Sequence, residues 1–269
     1  MFKDITIGQY YPSDSKVHSL DPRVKIIVAF IFIISLFFIS SYLPYLFVLL
    51  YLIFIIKLSN VPVGYVVKGL KPLKWIIILT FVINVLFIPG EEIFRYGIIS
   101  VTKEGLNTAL LMAIRLSLLV MGTSLLTLTT SPIEMTDGIE ELLKPFKKIG
   151  VPSHEIAMMM TIALRFIPTL IEETDKIMKA QMSRGADFES GNMIKRAKNL
   201  VPLLVPLFIT SFRRADELAI AMESRCYRGG EGRTKFKQLK LEKTDYGALA
   251  FNSIFFACII FSKYLGNLI

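Results

Sequence analysis

The chain has 269 residues, 53% of them hydrophobic and 20% charged, with a mean hydropathy of +0.56 and a formal net charge of +9. A soluble globular domain of this length is not normally so apolar, so composition places the chain in the membrane class. The positive charge is spread along the chain and not gathered into one patch, which argues against a nucleic-acid binder, and two distant cysteines, Cys226 and Cys258, offer neither a disulfide framework nor a metal knuckle.

Taken in chain order, apolar runs cover residues 26–41, 44–56, 75–89, 106–128 and 246–265. A helix needs about 20 apolar residues to cross ~30 Å of hydrocarbon. The first three runs are short, but Tyr42, Tyr45, Lys57, Lys74 and Trp75 flank them and extend each through the interface. The expected fold is therefore an all-α membrane protein with about five transmembrane helices. No cleavable signal peptide is expected. The first run follows a segment carrying Lys3, Lys16, Arg23 and Lys25, and no A-x-A-like site comes after it.

Loop charge sets the orientation. The loop 57–74 carries Lys57, Lys68, Lys71 and Lys74 and no acid, whereas the loop 89–105 is slightly acidic. The positive-inside rule then places the N-terminus, the loop 57–74 and residues 131–245 in the cytoplasm and the C-terminus outside a cell membrane. Three parts follow: helices one to four in 1–130, a cytoplasmic domain in 131–245, and a last spanning helix in 246–269.

The cytoplasmic part opens on Ser131-Pro132-Ile133-Glu134, an N-cap, a proline suited to the first helical position and an acid for the capping box. A helix to about Lys148 is predicted, ended by Gly150 and Pro152. A second runs from Ser153 to about Arg184, with Ile156, Met160, Ala163, Leu164, Ile167 and Leu170 at helical period, and stops at Gly185. A third runs from about Met193 to Arg225. Pro168, Pro202 and Pro206 lie inside these helices, as static kinks or as hinges. The alternation Lys235-Phe236-Lys237-Gln238-Leu239-Lys240-Leu241 predicts an extended piece lying on a surface.

Motifs for chemistry are missing. There is no G-x-x-x-x-G-K-[ST], no H-E-x-x-H and no C-x-x-C. His18 and His154 stand in no nucleophile motif and read as interface or cap residues. Glu91-Glu92, Glu140-Glu141 and Glu172-Glu173 are sequence neighbours, which do not face each other on a helix. Arg115 lies inside an apolar run. An intramembrane charge of this kind either marks a functional polar site or is satisfied within the bundle by backbone carbonyls.

Two stretches match at a shift of 41 residues: Asp175-x4-Ala180-x2-Ser183-Arg184 and Asp216-x4-Ala221-x2-Ser224-Arg225. Each ends a long helix. One reading is capping, in which Arg complements the helix dipole and a small residue closes the turn. The other is docking: two equivalent arginines on helix tips suit two equivalent acidic grooves, because Arg forms charge-assisted, often bidentate bonds with carboxylates.

On these residues the chain resembles the transmembrane T component (EcfT family) of energy-coupling factor (ECF) transporters. The resemblance runs through Gly8-Gln9-Tyr10, Asp14-Ser15, His18-x-Leu20-Asp21-Pro22-Arg23-x-Lys25, Thr130-Ser131-Pro132, Leu164-Arg165-Phe166-Ile167-Pro168 and Ala180-Gln181-x-x-Arg184-Gly185. Cys226 departs from it, standing where the family usually has a small residue such as Gly. The resemblance implies a non-catalytic subunit that joins two ABC-type ATPase subunits to one small membrane S component for vitamin or metal-ion uptake. It implies that Arg184 and Arg225 dock the ATPases, that Ser183, Gly185, Ser224 and Cys226 shape the tips, and that helices 153–184 and 193–225 are coupling helices. ATP and Mg2+ would sit on the ATPases, with no cofactor on this chain. A self-sufficient secondary transporter or channel is the competing class; it would predict matched halves with broken spanning helices.

Overall fold

The structure is a computed structural model that describes residues 10–96, 99–188, 192–230 and 239–266. Nine α-helices among the described residues follow in order: α1 (Pro22–Phe38), α2 (Tyr42–Ser59), α3 (Val63–Lys68), α4 (Lys74–Phe87), α5 (Lys103–Thr129), α6 (Pro132–Leu143), α7 (Ser153–Ser183), α8 (Met193–Ser224) and α9 (Lys243–Gly266). The fold is all-α and of membrane type. By length and composition α2, α5, α7 and the 243–261 part of α9 can each cross a membrane. With 17 residues α1 is slightly shorter, and α4 is apolar but has only 14. That α7 meets the same measure was not expected. Its apolar side chains form one face, and Arg165, Glu172, Glu173 and Asp175 share the helix with them.

The described chain divides into two compact units, one formed by the residues up to Gly138 with the C-terminal helix, the other beginning at Ile139. In the first unit, α1, α2, α5 and α9 enclose a core of Phe32, Leu36, Tyr45, Val48, Leu118 and Phe256. Phe32 and Phe256 meet edge-on at 5.8 Å, and Tyr51 stacks on Phe255 at 5.0 Å. The Tyr51 hydroxyl donates to the Asn252 side-chain carbonyl, which joins α2 to α9 by a polar bond inside the apolar bundle. Gly122 allows α5 to approach α1, since a Cβ there would lie 2.2 Å from the Phe32 ring.

Helix ends in such surroundings need partners for their orphan backbone groups. At the C-terminus of α5, Tyr11 N–H donates to Leu128 O at 2.9 Å and the Lys25 ammonium donates to Thr129 O at 3.0 Å. Lys25 also reaches His18 O at 2.7 Å. His18 Nε2 donates to Tyr11 O at 3.0 Å, so its Nδ1 is left to accept from the Ser15 hydroxyl at 2.7 Å. The N-terminal segment is thereby strapped across the end of α5. Asp21 caps α1 through Arg23 N–H at 2.9 Å. Burial raises the pKa of its carboxyl, but the Arg23 bonds and the charges of Arg23 and Lys25 outweigh this and hold it below the ordinary aspartate value. Asp245 accepts from Asp21 N–H and from Glu242 N–H, both at 2.8 Å, and so joins the start of α9 to the start of α1.

The opposite end of α1 is closed the same way. Arg115 Nη2 donates to Ile39 O at 2.7 Å and its Nε donates to the Tyr45 hydroxyl at 2.8 Å. The intramembrane arginine thus binds the C-cap carbonyl of α1 and ties α1, α2 and α5 together.

Two local features differ from the sequence reading. Residues 89–105, expected as a loop, contain two antiparallel strands, β1 (Glu92–Tyr96) and β2 (Ile99–Thr102), with a register shift between Glu92 and Phe94. Their β-branched and aromatic residues suit strands. The helix expected to reach about Lys148 becomes a 3-10 turn at Lys144–Ile149. Pro145 has no N–H to donate to the Glu141 carbonyl, so the α-ladder cannot continue through it. The capping box at its start forms as read, with Glu134 N–H to Ser131 Oγ and Ser131 N–H to Glu134 Oε2, both at 3.3 Å. Of the extended piece expected at 235–241, residues 235–238 lie outside the described residues.

Arg115→Met should lower stability by about 1.5–3 kcal/mol, the range for hydrogen bonds to charged groups, with Arg115→Lys losing less because one donor survives. Gly122→Ala should cost about 1–3 kcal/mol by overpacking, because the added Cβ would meet three atoms of the rigid Phe32 ring at 2.2–2.9 Å. Unfolding midpoints in one detergent, compared with wild type, check both.

Candidate functional site

The second unit is dominated by α7 and α8, a pair of long helices of 31 and 32 residues. They run antiparallel: Arg214 Nη2 meets Glu173 Oε2 at 2.9 Å, and Asn199 Nδ2 donates to Asp187 O near the turn between them. At the far end an added Cβ on Gly230 would lie 2.7 Å from the His154 ring, so the chain after α8 returns to the start of α7. Their C-terminal tips therefore stand at opposite ends of the pair. A helix of this length places them on the order of 40 Å apart. His154 opens α7 and its Nδ1 lies 3.1 Å from Glu140 Oε1, a structural contact at a helix start.

The two tips have the same backbone. At the end of α7, Gly185 N–H donates to Met182 O at 3.0 Å and Ala186 N–H to Gln181 O at 2.9 Å. At the end of α8, Cys226 N–H donates to Glu223 O at 2.8 Å and Tyr227 N–H to Met222 O at 3.0 Å. This bond pair is the Schellman motif, which needs a left-handed residue just after the C-cap. Gly185 supplies it with φ +87° and Cys226 with φ +56°. The sequence match at a shift of 41 is thus a match of three-dimensional caps. It also explains why Gly suits the position held by Cys226: any Cβ there is strained.

Arg184 and Arg225 occupy the C-cap positions and are exposed. Backbone N–H groups close both helices, and neither guanidinium has a hydrogen-bond or ion-pair partner among the described residues. The side chains are left over from capping. Ser183 and Ser224 turn their hydroxyls back to Lys179 O at 3.1 Å and Ala221 O at 3.0 Å, which keeps the tips narrow.

The three prolines fall inside continuous helices, Pro168 in α7 and Pro202 and Pro206 in α8. Each removes one ladder bond, at Leu164 O, Lys198 O and Pro202 O. An apolar row on α8 escaped the sequence reading. Val201, Val205, Phe208 and Phe212 are 51–68% exposed and follow a 4-3-4 spacing along one face. That spacing was the available signal. On α7 Met159 is 59% exposed and Met182 49%, while Met158, Met160 and Met178 are half-buried. Arg115, in the other unit, belongs to the α1–α2–α5 junction and not to this pair.

Cys226→Gly should leave the tip intact and stabilise its unit by up to about 1 kcal/mol through relief of left-handed strain, whereas Gly185→Val should destabilise by about 1–2 kcal/mol. Thermal unfolding of the two variants checks the sign of each.

The family described as "Cobalt transport protein" (CbiQ) matches residues 13–236. The energy-coupling factor transporter transmembrane protein EcfT of Clostridium kluyveri is 61% identical over 248 residues, covering 91% of this chain and 92% of that one. The protein of the same name from Thermosediminibacter oceani is 56% identical over 263 residues, covering 98% and 99%. That of Bacillus subtilis is 47% identical over 264 residues, covering 98% and 100%. With matches of this extent over nearly the whole length, the chain belongs to the EcfT family of energy-coupling factor transporter transmembrane proteins.

Proposed function

We propose that the chain is the coupling subunit of an ATP-driven importer, tying two cytosolic ABC-type ATPase subunits to one small membrane S component that carries a vitamin or a metal ion. Arg184 and Arg225 dock the ATPases, one tip to each, with Ser183, Gly185, Ser224 and Cys226 shaping the tips. The observation that carries this reading is the pair of matching caps from which both guanidinium groups are left exposed and, among the described residues, unpaired. Arg placed so presents its planar fork to a carboxylate without first breaking a bond.

The exposed row of α8 and the exposed methionines of α7 supply the surface for the S component, and methionine adapts to different partner shapes. Pro168, Pro202 and Pro206 let the helices bend when the ATPases close. The chain does no chemistry; ATP and Mg2+ belong to the ATPases. The N-terminus and the α7–α8 pair lie in the cytoplasm and the C-terminus outside the cell membrane, as the four lysines of the 57–74 segment require under the positive-inside rule.

Co-purification with the cognate ATPases in detergent tests the docking. Wild type should retain both subunits, and Arg184→Glu with Arg225→Glu should reduce recovery by roughly ten-fold or more per tip, the factor expected from charge-assisted bonds replaced by repulsion. Equal retention by a folded double variant would remove the arginines from the interface. Transport by the chain alone in proteoliposomes would instead favour a self-sufficient transporter.

A further inference from the structure

A cavity of about 480 Å3 lies among α1, α2, α5 and α9, within the size range of ligand sites. Val28, Phe32, Leu52, Ile55, Leu125 and Ala248 make its walls apolar. Its polar lining includes Lys16, Ser19, Lys25 and Thr244, which stand at the starts of α1 and α9 or just before α1. Two lysines and no carboxylate line the cavity.

Lys25 is only 7% exposed. Its ammonium donates to His18 O and Thr129 O, which leaves a third N–H without an acceptor among the described residues. Asp21, Glu134 and Asp245 offset its charge from outside the lining. Lys16 is exposed beside it at the rim. With the Lys25 charge offset, Lys16 is the cation at this end left without an ion-pair partner among the described residues, and the third Lys25 N–H is a donor beside it.

The lining residues of α1 run from Val24 and Lys25 to Phe32, and Lys25 to Phe32 is about 10 Å at the helical rise, or a third of the ~30 Å hydrocarbon layer. Three lining residues, Phe54, Leu58 and Phe251, are 54%, 38% and 53% exposed, so the flank is open and greasy. In a bundle that crosses a membrane, such a flank faces acyl chains. The occupant must therefore combine an apolar tail, lateral access from the bilayer and an anionic head at the level of the helix ends. A water-soluble anion would not fill the apolar walls, and a neutral lipid would leave Lys16 without a counter-charge.

We propose that the cavity binds one acyl chain of an anionic glycerophospholipid, with the headgroup phosphate held by Lys16, Lys25 and the hydroxyls of Ser19 and Thr244. The lipid seals the gap between α9 and its neighbours beside the Asp21–Asp245 junction. Attraction between the head and two lysines sets the preference for charged lipid, and wall complementarity sets the seat of the chain.

The full chain carries one tryptophan, Trp75, which does not line the cavity. A Trp75→Phe, Phe251→Trp chain in detergent therefore reports occupancy through quenching by tail-brominated phosphatidylglycerol or phosphatidylcholine. Brominated phosphatidylglycerol should quench at several-fold lower concentration than the choline lipid. Lys16→Gln should cut that preference about five-fold. Ala29→Phe or Ala248→Phe, which fills the slot, should abolish it. Lys16 is exposed, so its variant keeps the test readable where a filling variant does not fold. Equal quenching by the two lipids, or an undiminished preference in Lys16→Gln or in a folded filling variant, would overturn the site and leave only annular lipid.

Discussion

The membrane-type unit depends on how its helix ends are satisfied. A backbone carbonyl in an apolar bundle has no water to turn to, and each one left bare costs several kcal/mol. Here charged side chains fill that role at both ends of α1. Lys25 reaches the last carbonyl of α5 and the carbonyl of His18, while Arg115 reaches the carbonyl of Ile39. Asp245 does the converse, accepting the N–H groups that open α1 and α9. The result is a bundle whose register is set by ionic contacts at its rims and whose interior is ordinary close packing around Phe32, Leu36 and Phe256.

That arrangement separates the two units by physical character. In the first, charges are turned inward and bonded, so they stabilise and position. In the second, Arg184 and Arg225 are turned outward from helix ends that the backbone has already closed. A Schellman cap needs no side chain except permission for a left-handed residue, and Gly185 gives it freely while Cys226 gives it at some strain. Neither guanidinium is therefore needed to close its helix.

The cavity beside Lys25 belongs to the same economy of charge. A buried ammonium with two carbonyl partners still has one donor, and the nearest apolar space runs along α1. A lipid with a charged head meets both conditions in one molecule, which links the stability of the rim to the composition of the bilayer.

Periodicity and composition alone determined much of this protein. Membrane class, the long helices α5 and α9, the capping box at Ser131 and the two matching tips all follow from short-range rules, because helix propensity, capping and hydropathy act within a few residues. The strand pair at 92–102 was legible in its β-branched residues yet hidden by the loop charge around it, and the proline at 145 signalled the end of α6 earlier than Gly150 did. Only the tertiary structure decided the rest. It settled that Arg115 is bonded to a carbonyl, that Asp21 and Asp245 meet across more than two hundred residues of chain, and that Arg184 and Arg225 take no part in their own caps. Each of these turns on which groups approach in space, and a sequence pattern carries the periodicity of one element but not the distance between two.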